Sequence, residues 1–245
     1  MEVYLNRVDG LDDAICTMFL SKRHLTREKE LEIRNEVQLQ TTSVYDGVTP
    51  LGAIRPDHSA KLAVWLQNTL KIGAEHITLL RFIDLSFSVY GLHRGGQDDL
   101  DAHSMRMNNR IVRASTRLGT FERGEMSEYY MGKILPTDVA LAALGITMPD
   151  EIVYEGQTYV RASNGYILKG MENENDVKRG LYMLSIPSDF IFRIQLTEFS
   201  HVYKLRRELG TAHPELKQAV ESMASQLEVA TQGLVTRDLL LEIPN

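Results

Sequence analysis

The chain has 245 residues, 43% of them hydrophobic, and a formal net charge of -6. That length and apolar content suffice for a full core and exclude a disordered chain, while the acidic balance excludes a general attraction to nucleic acid or to an anionic membrane surface. The opening "MEVYLNRVDGLDD" carries no basic segment followed by an apolar one, and no apolar run approaches the roughly 18 residues of a membrane span, so a cytoplasmic protein is expected.

"EVYLNRV" alternates as a short strand, and "LDDAICTMFLSKR" and "TREKELEIRNEVQL" carry helical periodicity with a break around Leu25. Cys16, the single cysteine, falls on the apolar face of the first of these helices and is expected in the core, with no partner for an internal disulfide. Gly and Pro punctuation over residues 41–58 predicts a loop. Ser59 then caps a helix "AKLAVWLQNTLKI" that Gly73 stops. "EHITLLRFIDLSFSVY", rich in β-branched and aromatic residues, predicts one long strand. "HRGGQDDLD" predicts a turn-rich connection; it lacks the glycine spacing of a phosphate loop, and Asp98, Asp99 and Asp101 would repel a phosphate.

Turn signals at Glu-Gly and Asn-Gly predict a three-stranded meander over residues 151–169. "NDVKRGLYML" predicts a short helix interrupted at Gly180, and "SDFIFRIQL" predicts a strand. Thr197 is expected to cap a helix "EFSHVYKLRREL" ended by Gly210, and "HPELKQAVESMASQLEVA", with proline at its first helical position, is expected to be the last helix. There is no internal repeat, low-complexity tract or linker, so a single mixed α+β domain over residues 1–245 is expected. His24, His58, His76, His93, His103, His201 and His213 show no HxxxH pattern, which predicts histidines that pack or cap helices and no metal site.

Arginine draws attention in two places. "AHSMRMNNRIVRASTRL", residues 102–118, holds Arg106, Arg110, Arg113 and Arg117 and no acid. On one helix through residues 105–118 the four would fall within roughly 60° of arc, an exposed basic face that needs no ligand. Asn108 and Asn109 favour a break instead, which would free the second half to wrap a ligand. Arg206 shares a helical stripe with Phe199, Val202, Tyr203 and Leu209, so it faces the core. Either Glu208 or Glu215 neutralises it in an internal ion pair, or its bidentate fork holds a planar anionic or carbonyl-bearing ligand.

These residues carry a resemblance to the flavin-dependent thymidylate synthases. "KRGLYMLSIPSDFIFRIQLTEFSHVYKLRRELGTAHPELKQ" is similar to that family's pattern of an arginine before a "VLP"-like turn, an aromatic strand, a helix ending Leu-Arg, and "AQxE". "GAEHITLLRF" resembles the family's "EH" strand, and "RASTRL" the end of its signature RHRxxSxxExSxRY. The resemblance implies that Arg113, Ala114, Ser115, Thr116, Arg117, Arg179 and Arg206 bind a nucleotide. Arg206 would be the catalytic residue, polarising a uracil ring so that C5 becomes nucleophilic without a covalent thiolate adduct, which leaves Cys16 free to be a core residue.

The resemblance also implies FAD, methylenetetrahydrofolate as methylene donor, NADPH as reductant, and a homotetramer with sites between subunits. Glu75, Arg106, Met107, Gln195 and His201 are the expected FAD contacts. The chain departs from the signature where RHR falls on Met105, Arg106 and Met107, where the second serine falls on Arg110, and where the glutamate falls on Arg113. The implied activity is C5-methylation of dUMP or UMP, the latter as in a branch that acts in nucleoside-antibiotic pathways of the polyoxin type. The alternative is a relative that binds a nucleotide or another phosphate without methylation. A nucleic-acid module finds no support, since the basic stretch lacks interleaved aromatic residues for stacking.

Overall fold

The computed structural model describes the chain except residues 102–109, 114–125, 163–164, 173–180, 182–183, 209–211 and 245. Strand β1 (Glu2–Asp9) is followed by helices α1 (Leu11–Ser21), α2 (Arg27–Gln40) and α3 (Ala60–Glu75), then a 3-10 segment (Ile77–Phe82), strand β2 (Asp84–His93) and helix α4 (Arg94–Asp101). Strand β3 (Arg110–Arg113), helix α5 (Thr137–Ala143) and strands β4 (Glu151–Tyr154), β5 (Gln157–Ala162) and β6 (Gly165–Leu168) come next. Strand β7 (Pro187–Gln195) runs directly into helix α6 (Leu196–Tyr203) and a π turn (Lys204–Glu208), and α7 (Pro214–Ala230) and α8 (Arg237–Glu242) complete the chain.

Two antiparallel sheets result among the described residues: a four-stranded sheet in the order β1-β2-β7-β3, and the meander β4-β5-β6. This is the α+β class expected, with the meander where its turn signals put it. Alternation along the central strands sends Val3, Leu5 and Val8, then Leu85, Phe87 and Val89, then Phe190, Phe192 and Ile194 to one buried face. Helix α7 covers that face with Leu216, Ala219, Val220, Met223, Ala224 and Leu227, a stripe at helical spacing. The Phe87 and Phe199 rings, 5.6 Å apart, join sheet to α6. Phe87, Phe192 and Phe199 are each fully buried and each contributes about 1.5–3 kcal/mol.

At the other end of the core Arg34 of α2 reaches Asp12 and Asp13 of α1, and Lys29 lies over the Trp65 ring of α3 at 4.3 Å. Cys16 is buried on α1 as expected, and burial pushes its thiol up from the ordinary range. Ser59 caps α3 by accepting from Leu62 N–H, and Pro214 opens α7.

Several local expectations are overturned by packing. Gly73 does not stop α3, which continues to Glu75; the glycine is buried against Leu80, and a Cβ there would collide with Leu80 Cγ. The long strand predicted from the "EH" stretch therefore starts only at Asp84, because the residues before it turn as a 3-10 segment to bury Leu79 and Leu80. "RGGQDDLD" is helix α4 rather than a turn: one face buries Gly96, Gln97 and Leu100, and tertiary burial outweighs the cost of two glycines. Of the two alternatives for residues 105–118, the single helix does not form, since Arg110–Arg113 pairs as a strand with β7. Thr197 is not a cap; α6 starts at Leu196 and the Thr197 hydroxyl is buried with no partner among the described residues. The helix of Arg206 opens into a π turn after Tyr203, and α7 is followed by α8 rather than being last. The short helix predicted over residues 175–184 falls largely outside the described residues.

Candidate functional site

The residue that sequence singled out as a core-facing cation sits where α6 loses its regular pitch. Leu196, Phe199, Val202 and Tyr203 anchor α6 in the core, and the extra residue of the π turn re-aims the side chains beyond it, a feature common at functional sites. The turn is fastened on both flanks: Lys204 Nζ donates to the Ile243 carbonyl, and Arg207 Nε donates to Glu221 at 3.1 Å. Arg206 is directed at α4, where its Nη2 donates to the Asp99 carbonyl at 2.9 Å. That oxygen belongs to the last turn of α4, whose carbonyls have no partner within the helix.

Neither carboxylate expected to neutralise Arg206 is seen doing so. Glu215 is engaged by His93 instead, with Nδ1 and Oε2 2.5 Å apart, and the Glu208 side chain lies outside the described residues. Among the described residues the acid paired with Arg206 is Asp99, whose Oδ2 is 4.0 Å from Nη1 and whose side chain is 47% exposed. The Arg206 Nε is buried and has no acceptor among the described residues. A guanidinium held by one fork arm with a buried donor left over is not the geometry of a finished structural ion pair.

A second such donor lies two residues before Asp99. Gln97 is fully buried, its Oε1 accepting from the Ser188 hydroxyl and from Arg94 Nη1 at 3.5 Å. Because Arg94 can only donate, it fixes the amide orientation, and Gln97 Nε2 is left without an acceptor among the described residues. The two orphaned donors fit a ligand rich in oxygen and nitrogen acceptors, as a pyrimidine nucleotide or a flavin ring is. Gln97 and Asp99 escaped the sequence reading because "RGGQDDLD" looked like a turn. The signal that could have found them is the spacing of Gly96, Gln97 and Leu100, one face of a helix.

The other expected site residues are spread over the fold. Arg113 closes β3 with its backbone opposite Phe190, in the same ladder that sets Arg110 opposite Arg193. Arg106, Met107, Ala114, Ser115, Thr116, Arg117 and Arg179 lie outside the described residues. Gln195 stands opposite Asp84, at the end of the sheet away from α4, and His201 is half-buried on α6. Glu75 is exposed at the end of α3, on a cavity of about 450 Å³ shared with Thr236 and Asp238. Glu75, Gln195 and His201 thus stand on three different elements, and of these only α6, which carries His201, leads directly into the turn of Arg206. His93, His213 and Glu215, which no sequence spacing brought together, meet beside α4.

No family model and no curated protein sequence matches the chain. Solved structures do match its fold, two of them as follows. One is thymidylate synthase X from Helicobacter pylori with FAD and dUMP, at 14% identity and a TM-score of 0.55, covering 98% of this chain and all of that one. The other is the flavin-dependent thymidylate synthase of Helicobacter pylori complexed with FAD and dUMP, at 13% identity and a TM-score of 0.53, covering both chains completely. At such identity the likeness concerns the path of the backbone, and the chemistry has to come from the residues. The chain has the fold of the flavin-dependent thymidylate synthases.

Proposed function

We propose that the chain is a flavin-dependent C5-methylase of a uridine monophosphate, dUMP or UMP, with methylenetetrahydrofolate as its one-carbon donor. The observation that carries this reading is Arg206, a core-directed guanidinium with a buried, unpartnered Nε beside α4, in a fold shared with synthases solved with FAD and dUMP. A guanidinium placed at a uracil oxygen and N3 stabilises negative charge drawn onto those atoms, the polarised form of the ring in which C5 is nucleophilic toward an electrophile. The chain offers no competing thiolate, since Cys16 is buried in α1 with its pKa raised by desolvation. Gln97 Nε2, on the helix that Arg206 reaches, is a further buried donor without an acceptor among the described residues, uncharged where Arg206 is cationic.

In this reading Arg113, Ser115, Arg117 and Arg179 hold the nucleotide, with Ala114 and Thr116 between them. Glu75, Arg106, Met107, Gln195 and His201 hold FAD, two such sets meeting across subunits of a homotetramer. When bound and reduced at the expense of NADPH, FAD supplies the hydride that completes the methyl group. The absorbance spectrum of the purified protein tests the cofactor directly. A yellow protein, or one that takes up added FAD, supports the proposal, and a protein that binds no FAD at any concentration tried overturns it.

The second reading, a nucleotide-binding relative without methylation, is favoured by one feature: Arg113 stands where the signature carries glutamate, and methionines replace two residues of its RHR. Calorimetry separates the two, because that reading requires dUMP or UMP binding in a protein that takes up no flavin.

A further inference from the structure

We infer that His93, His213 and Glu215 form a binding site for a divalent transition-metal ion of the zinc type. One ligand atom from each of the three lies within 4.8 Å of the others. His93 ends β2 with its side chain 4% exposed, and its ring is set by α4: a Cβ at Gly96 would stand 2.7 Å from His93 Cε1. His213 caps α7, its Nδ1 accepting from the Glu215 N–H at 3.2 Å, and its ring centroid is 4.0 Å from that of His93. Glu215 is 3% exposed, and its Oε2 accepts from the His93 backbone N–H at 3.1 Å and from the Ser127 hydroxyl at 3.3 Å.

Among the described residues neither lysine nor arginine reaches this carboxylate; the cationic partner available to it is an imidazole. A buried carboxylate needs a counter-charge, and two imidazoles plus one carboxylate are the His₂Glu set that suits a borderline-soft ion and leaves a coordination position open. Calcium and magnesium would instead require oxygen donors. His213 binds the ion through Nδ1, which then gives up the Glu215 N–H it accepts from, and the outer contacts that hold ligand side chains in place are present too: the Tyr130 hydroxyl is 3.1 Å from His213 Nε2, and Ser127 braces Glu215. Binding separates His93 Nδ1 and Glu215 Oε2 from 2.5 Å to about 3.3 Å, the spacing of tetrahedral ligands around zinc. A proton shared between them, and any proton on the His213 nitrogen that binds, leaves to solvent.

The test is cobalt(II) titration of the full, untagged chain, read by visible d–d absorption. The expected result is one cobalt per chain with the strong bands of a four-coordinate ion, bleached by zinc(II). His213→Gln, which restores the residue of the "AQxE" pattern and keeps a capping oxygen, should weaken binding by about tenfold or more, as should Glu215→Gln. Zinc(II) should also raise the melting temperature of the unaltered chain, a readout that needs no variant. The inference is overturned if cobalt produces no such bands, or if His213→Gln binds it as tightly as the parent; the cluster is then a hydrogen-bonded histidine–glutamate pair alone.

Discussion

Replacing Arg206 with Met keeps the unbranched stem and deletes the guanidinium, and the structure sets the terms of the outcome. The fold loses the Nη2 bond to the Asp99 carbonyl at 2.9 Å, a charged-donor hydrogen bond worth about 1.5–3 kcal/mol. The 4.0 Å contact to the half-exposed Asp99 carboxylate adds less than about 1 kcal/mol. Against this, the buried Nε without an acceptor, itself a cost of about 1–3 kcal/mol, disappears. The terms nearly offset, so Arg206→Met should unfold within about 2 kcal/mol of the parent in urea. Turnover should fall by about 10²–10³ in kcat, the usual loss when one preorganised donor to a developing anion is removed. Arg206→Lys, which keeps the charge and loses the fork, should restore part of it. A variant that keeps full kcat, or one that loses more than about 4 kcal/mol while its folded fraction turns over normally, would refute the role given to Arg206.

Two further outcomes come from the packing and the charges. Gly73→Ala pushes a methyl into Leu80, fully buried at the joint between α3 and the 3-10 segment, and should destabilise by about 1–3 kcal/mol in denaturant unfolding. Burial, and then the neighbouring His93, hold the His213 imidazole below its ordinary 6.5, so between that value and the lower folded one the unfolded chain binds more protons. Stability measured in metal-free buffer should therefore fall as pH drops through 6.5, and His213→Gln should flatten that slope; an unchanged slope contradicts the assignment.

What could be read in the chain alone was local. The Ser59 cap and the proline opening α7 act within one turn, and the Glu155–Gly156 turn has both residues at positive φ, 52° and 77°, as a tight hairpin needs. What could not be read depends on partners far away in sequence. Gly73 looked like a stop until Leu80 packed on it, and "RGGQDDLD" looked like a turn until the core took up Gly96, Gln97 and Leu100. Arg206 was legible as an arginine out of place, since its stripe position required an explanation. Its partner was not, because Asp99 is 107 residues away, and His93 and Glu215 are 122 apart. The strand at Arg110–Arg113 was hidden for a related reason: four residues flanked by arginine show no alternation until Phe190 and Phe192 of β7 stand opposite them.

C5-methylation is tested most directly by mass spectrometry of the nucleotide after incubating the protein with FAD, NADPH, methylenetetrahydrofolate and either dUMP or UMP. One of the two should gain a methyl group at C5, and Arg206→Met should suppress this gain by about 10²–10³. If the flavin-loaded protein leaves both nucleotides at their starting mass, C5-methylation is contradicted.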